Sequence, residues 1–232
     1  MTSQDTMMND KRTTSDARIY GTAPISLGVV DLSPKEMMFW LYCPIKLINS
    51  DELVLPPNLM QFSPIVEACM EDAADIWRER YVYLTAKTLW CTPDNTAQRP
   101  GWHCDGFMTD DLNYVWCDQE PTLFCLPEQL VAFTQDHPVA LKEMEFIGEQ
   151  GPHMTYPLKT LLRLDDKVLH RVNDFSKAGI RSFVKLSISR NAFNLVGNAI
   201  NHGLAPDWHY ANRSAERNPE VARLNDIAEV QS

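Results

Sequence analysis

His103 and Asp105 stand one residue apart in PGWHCDGFMTDD (residues 100–111), a loop that also carries Gly101 and Gly106. In extended backbone alternate side chains share a face, so His103 and Asp105 point one way and Cys104 the other. One imidazole nitrogen and one carboxylate oxygen then come within reach of a single cation. A second signal lies in KVLHRVNDFSKAGIRSFVKLSIS (167–189), where Val168, His170 and Val172 share a strand face and His170 can enter the space between two sheets. Two histidines and a carboxylate form a facial triad suited to ferrous iron, holding it through neutral imidazoles and an ionised carboxylate and leaving coordination positions open.

A β scaffold is needed to bring these residues together, and the sequence supplies its signals. From Arg80 onward, YVYLTAKTLWC, NYVWC, TLFCL, EMEFI, MTYPLKTLLRL, KVLHRV and RSFVKLSIS are short, rich in aromatic or branched residues, and divided by Pro, Gly, Asp or Asn. No regular helical insert separates successive strands in this reading, which disfavours a doubly wound parallel sheet and favours an antiparallel sandwich or jelly roll. Two helices are expected upstream. One starts at Ser33, with Pro34 at the first helical position, Glu36 at capping-box spacing, and the apolar run MMFWLYC after it. The other opens at Ser63–Pro64 and carries Ile65, Val66, Cys69, Met70, Ala73, Ile76 and Trp77 at helical spacing. Residues 1–18 read as a flexible arm, and SAERNPEVARLNDIAEV as a peripheral terminal helix.

The order WHCDGF, VLHRV, GIRSF resembles the His-x-Asp, distal His and distal Arg arrangement of non-haem Fe(II), 2-oxoglutarate-dependent dioxygenases. The eleven positions from His170 to Arg181 are similar to the spacing in the phytanoyl-CoA hydroxylase-like branch, and the likeness spans roughly residues 80–190. The resemblance implies a mainly β fold, a double-stranded β-helix or distorted, cupin-like jelly roll with flanking N-terminal helices, formed by one oxygenase domain over residues 19–232. It implies Fe(II) held by His103, Asp105 and His170, with 2-oxoglutarate and O2 as co-substrates. Arg181 would clamp the distal carboxylate of 2-oxoglutarate, with Lys185 on the same strand face as the alternative clamp and Thr122 helping to orient the co-substrate. A guanidinium suits that task because it stays charged and offers parallel donors to a planar carboxylate. Hydroxylation of a small molecule with release of succinate and CO2 is the implied outcome; desaturation and ring closure are open to the same site. With a carboxylate at position 105, no ligand position is left for the chloride that halogenation needs.

Other readings of the same residues stay open. Asp110 or Asp111 could replace Asp105 if the loop folds back, and Arg181 could pair with Asp165 or Asp174. Trp102, Phe107, Trp116 and Phe124 could line a substrate pocket or simply pack a core. Two further functions compete: a cupin-like metalloenzyme that does not use 2-oxoglutarate, and a non-catalytic jelly-roll binding module.

Composition bounds the partners. The 232 residues are 44% hydrophobic and 22% charged, which places the chain among globular proteins. The net charge of -10 disfavours electrostatic wrapping of nucleic acid. No segment approaches the roughly 20 apolar residues of a membrane span, and no secretory signal is evident, so a cytoplasmic location is expected. The six cysteines are too sparse for a disulfide framework and read as buried thiols. A small-molecule substrate is favoured over a peptide, and the expected state is a monomer or homodimer.

Overall fold

The computed structural model of the chain describes residues 18–204 and 206–212. Its strands are β1 (Ile25–Val29), β2 (Met38–Lys46), β3 (Tyr81–Cys91), β4 (His103–Cys104), β5 (Leu112–Cys117), β6 (Leu123–Cys125), β7 (His153–Met154), β8 (Thr160–Leu164), β9 (Leu169–Arg171) and β10 (Gly179–Ser189). Its α-helices are α1 (Ser63–Asp72) and α2 (His137–Gln150). The larger sheet has the order β1-β8-β5-β10-β3-β2 and the smaller one β4-β9-β6-β7, and every ladder between these strands is antiparallel. The architecture is mainly β, two antiparallel sheets with few helices, consistent with a jelly roll.

Strand β10 shows how the sequence sorts the interior. Val184, Leu186 and Ile188 enter the core beneath α1, where they meet Ile65, Val66 and Cys69. The alternate set, Arg181, Phe183, Lys185 and Ser187, faces the opposite side, as the two-residue period demands. There Phe183 packs with Val115, Phe124, Leu162 and Leu164 between the sheets. Full burial of each large apolar side chain contributes about 1.5–3 kcal/mol, so both faces of the larger sheet are held firmly.

Two expectations are corrected. The segment expected to be a helix from Ser33 is loop followed by β2, an edge strand paired with β3 from Met38↔Thr88 to Lys46↔Val82. Phe39, Trp40 and Tyr42 suit a pleated surface, and an edge strand tolerates Pro44, which would break a helix interior. EMEFI, expected to be a strand, lies inside α2. Asp136 caps that helix by accepting from Val139 N at 3.1 Å, and Ala140, Met144 and Gly148 are buried at four-residue spacing. This helix falls between β6 and β7, contrary to the expectation of no helical insert, yet the strands around it pair antiparallel.

The expected terminal helix lies outside the described residues, as does the expected arm up to residue 17. Arg18 is held by Asp166 Oδ2 at 2.8 Å and Thr109 O at 2.8 Å. All six cysteines are buried free thiols. No helix among the described residues is long and apolar enough to cross a membrane.

Candidate metal centre

Strands β4 and β9 pair His103 directly with His170, which puts the two imidazoles on one face with ring centroids 4.6 Å apart. Asp105 follows β4 immediately. The turn after it depends on Gly106, whose φ of +71° lies in the left-handed region; a Cβ there would come within 2.9 Å of Thr109 Oγ1 and 3.0 Å of Asp111 Cβ. Thr109 closes that turn by donating its N–H to Gly106 O at 2.8 Å. The Asp105 carboxylate thereby returns to the histidine pair, with Oδ1 4.0 Å from His103 Nε2 and Oδ2 3.4 Å from His170 Nε2. One donor atom from each of the three residues lies within 4.8 Å of the others, close enough to hold one metal ion.

Hydrogen bonds behind the rings fix which nitrogens face the centre. His103 Nδ1 lies 2.9 Å from Gly101 O, and His170 Nδ1 lies 2.9 Å from Val168 O. A carbonyl oxygen only accepts, so each Nδ1 carries the proton and each Nε2 presents its lone pair inward. Burial, reinforced by the neighbouring His170, pushes His103 down to about 3 and keeps it neutral. Burial alone would raise Asp105, but the Lys185 ammonium beside it outweighs that and holds the carboxyl well below its usual range. His103 and Asp105 are therefore held in the protonation states that ligate metal.

Strand β10 faces this cluster. Lys185 Nζ sits 2.6 Å from Asp105 Oδ2 and 5.7 Å from the ring centroid of Tyr42. Four residues earlier on the same face, Arg181 is 3% exposed. It donates from Nε to Gln119 O at 2.8 Å and from Nη2 to Glu120 O at 3.1 Å, while its buried Nη1 has no partner. Phe175 and Phe183 flank the guanidinium at 5.5 and 5.2 Å. Thr122, also buried, immediately precedes β6, whose Phe124 pairs with His170 across the strands.

The alternatives left open by the sequence are resolved by other contacts. Asp110 binds Arg80 and Arg190 at 2.8 and 3.0 Å. Asp111 is buried apart from the cluster of His103, Asp105 and His170. Asp174 takes Arg171 at 2.9 Å, and Asp165 accepts from Lys167 N at 2.9 Å and from Thr22. Neither acid pairs with Arg181. Of the four aromatic residues proposed as lining, Phe124 stands by the site, 6.0 Å from the His170 ring. Trp102 is buried against α2 and bonds Glu149, Phe107 packs on Tyr20, and Trp116 enters the core beneath α1.

Sequence reasoning missed Tyr42 and Lys87. Tyr42 reaches the site face because β2 shifts register between Trp40 and Cys43, with Tyr42 at φ +48° and its N–H bonded to Thr85 Oγ1 at 2.9 Å. No local signal marks that bulge. Lys87 lies opposite Phe183 in the β3–β10 ladder and so shares the face of Arg181 and Lys185; its odd-numbered parity in YVYLTAKTLWC was the available signal.

No protein-family model matches the chain, and no curated protein matches it. Among solved structures, the chain is similar to a full-length Neurospora crassa protein, solved in complex with alpha-KG, at 9% identity and a TM-score of 0.36 over 77% of this chain. The matched region spans 64% of that protein's length.

Proposed function

We propose that the chain is an Fe(II)- and 2-oxoglutarate-dependent oxygenase of the double-stranded β-helix type, in which residues 19–232 form one catalytic domain that hydroxylates a small organic molecule. The observation that carries this reading is the convergence of two histidine Nε2 atoms and an ionised carboxylate opposite a buried arginine whose Nη1 lacks a partner. That orphaned nitrogen suits the co-substrate: an unsatisfied buried donor is costly, and a carboxylate would relieve it.

On this reading His103, Asp105 and His170 hold the metal, their outward nitrogens anchored by Gly101 O and Val168 O. Arg181 receives the distal carboxylate of 2-oxoglutarate through Nη1, pre-oriented by the two carbonyls that occupy Nε and Nη2. Lys185, the alternative clamp, neutralises negative charge beside Asp105. Thr122 is assigned to orienting the co-substrate from the β6 side. Phe124, Phe183 and Val115 keep the space between the sheets apolar and limit water there. Bound Fe(II) supplies the oxidising chemistry with O2, and 2-oxoglutarate leaves as succinate and CO2. The test is Fe(II)-dependent release of succinate from 2-oxoglutarate, abolished by Asp105→Ala.

A second reading, a jelly-roll binding module that holds no metal, draws support from the same ion pair. The Lys185 ammonium already compensates Asp105. A folded protein that binds no Fe(II) at His103, Asp105 and His170 would favour it.

A further inference from the structure

Three cations share the interior face of the larger sheet. Arg181 and Lys185 lie on β10, and Lys87 lies on β3 directly opposite Phe183, the residue midway between them. Among the described residues, the ion-pair contact made by this group is Lys185 with Asp105; neither Arg181 nor Lys87 has a carboxylate within salt-bridge reach. Lys87 donates one hydrogen bond, from Nζ to Ala97 O at 3.1 Å, and lies over the Phe39 ring at 5.4 Å. An ammonium has three donors, so two N–H groups remain for a ligand. Burial, then the Lys185 and Arg181 charges, push Lys87 down to about 8.

Charge counting shows what the assembled site lacks. One ferrous ion and Asp105 sum to +1, and dianionic 2-oxoglutarate brings the centre to −1. Arg181 cancels that, so Lys185, already in contact with Asp105, and Lys87 bring the assembled site to a net positive charge. Excess positive charge in a partly desolvated space favours an anionic ligand. A single ammonium beside an aromatic ring suits a carboxylate better than a phosphate, whose oxygens would call for more donors.

Resting on the oxygenase reading above, we infer that the primary substrate is a carboxylic acid with an apolar body, its carboxylate received by Lys87. The shared chemistry is carboxylate binding; the distal carboxylate of 2-oxoglutarate is the other source, and the test separates the two. Protein loaded anaerobically with Fe(II) is titrated with 2-oxoglutarate, using the visible charge-transfer band, for wild type, Lys87→Met and Lys87→Arg. Succinate release is then measured with a panel of aliphatic and aryl monocarboxylic acids, each beside its primary amide. The expected result is a 2-oxoglutarate midpoint within twofold of wild type in all three proteins. At least one acid, and not its amide, should accelerate succinate release, with that effect falling at least tenfold in Lys87→Met and recovering in Lys87→Arg. Equal stimulation by amides, or no stimulation by any acid despite a normal band, overturns the inference. A band weakened tenfold in folded Lys87→Met would make Lys87 a co-substrate clamp instead. Absence of the band in wild type would sink the oxygenase reading itself.

Discussion

Lys185 Nζ stands 2.6 Å from Asp105 Oδ2, so a side chain of the larger sheet neutralises the carboxylate that completes the histidine cluster of the smaller one. The contact ties the two sheets together at the candidate centre. It also means that a metal ion must share Asp105 with an ammonium. Lys185→Met leaves that half-buried carboxylate uncompensated and should destabilise the metal-free protein, by at most the roughly 3–5 kcal/mol that breaking a fully buried pair costs. Fe(II) should then stabilise the variant more than the wild type, because the ion supplies the missing positive charge. Thermal unfolding with and without Fe(II) measures both; an equal loss in the two conditions would assign Lys185 to the fold alone.

Arg181→Ala removes the donor proposed for the distal carboxylate but none of the proposed metal ligands. A hydrogen bond to a charged group is worth about 1.5–3 kcal/mol, so 2-oxoglutarate affinity should fall about 10–100-fold while Fe(II) affinity stays within about threefold. Titrating both ligands into the variant checks the split. A larger effect from Lys185→Ala on 2-oxoglutarate binding would move the clamp to that residue.

His103, whose side chain is only 14% exposed, makes metal-free stability depend on pH. Its folded value is pushed down to about 3 from an ordinary 6.5, so between these limits the unfolded chain binds the proton that the folded protein refuses. Stability is therefore fully present above pH 6.5 and declines as the pH falls toward 3, by up to about 1.4 kcal/mol per unit from this group. Asp105, whose folded value is lowered, adds a slope of the same sign, confined to below about pH 5, where the unfolded carboxyl begins to take up its proton. Denaturant unfolding between pH 5 and 6.5 should show a slope that His103→Gln flattens; an unchanged slope in that variant would contradict the buried neutral imidazole.

Gly148 of α2 faces the Trp102 ring so closely that an added Cβ would come within 2.2 Å of Trp102 Cγ. Trp102 precedes His103 and is tied to the same helix through Glu145 and Glu149. Gly148→Ala should destabilise the protein by about 1–3 kcal/mol through overpacking, and displacement of β4 should weaken Fe(II) binding as well. Calorimetry and an Fe(II) titration on the same sample test the two effects; wild-type values for both would mean that the helix can shift without moving the site.

The candidate metal ligands were legible in the sequence because a period of two places His103 and Asp105 on one side of extended backbone and His170 on an inward strand face. The strands around β3, β5 and β10 were legible through the same alternation. Residues 33–46 were not, because Ser33, Pro34 and Glu36 imitate a helix start, whereas pairing of Met38–Lys46 with β3 decides the outcome. EMEFI looks like a strand in a five-residue window; the buried spacing of Ala140, Met144 and Gly148 becomes visible over three turns. Lys87 and Tyr42 needed strand register, which depends on partners distant in the chain.

The most direct test of the central claim is the visible spectrum of anaerobic, Fe(II)-loaded protein before and after addition of 2-oxoglutarate. A metal-to-ligand charge-transfer band that is absent in His103→Ala and forms only at higher 2-oxoglutarate in Arg181→Ala is the predicted result. Stoichiometric iron binding without any band, or a band unaffected by either substitution in folded protein, would contradict the account.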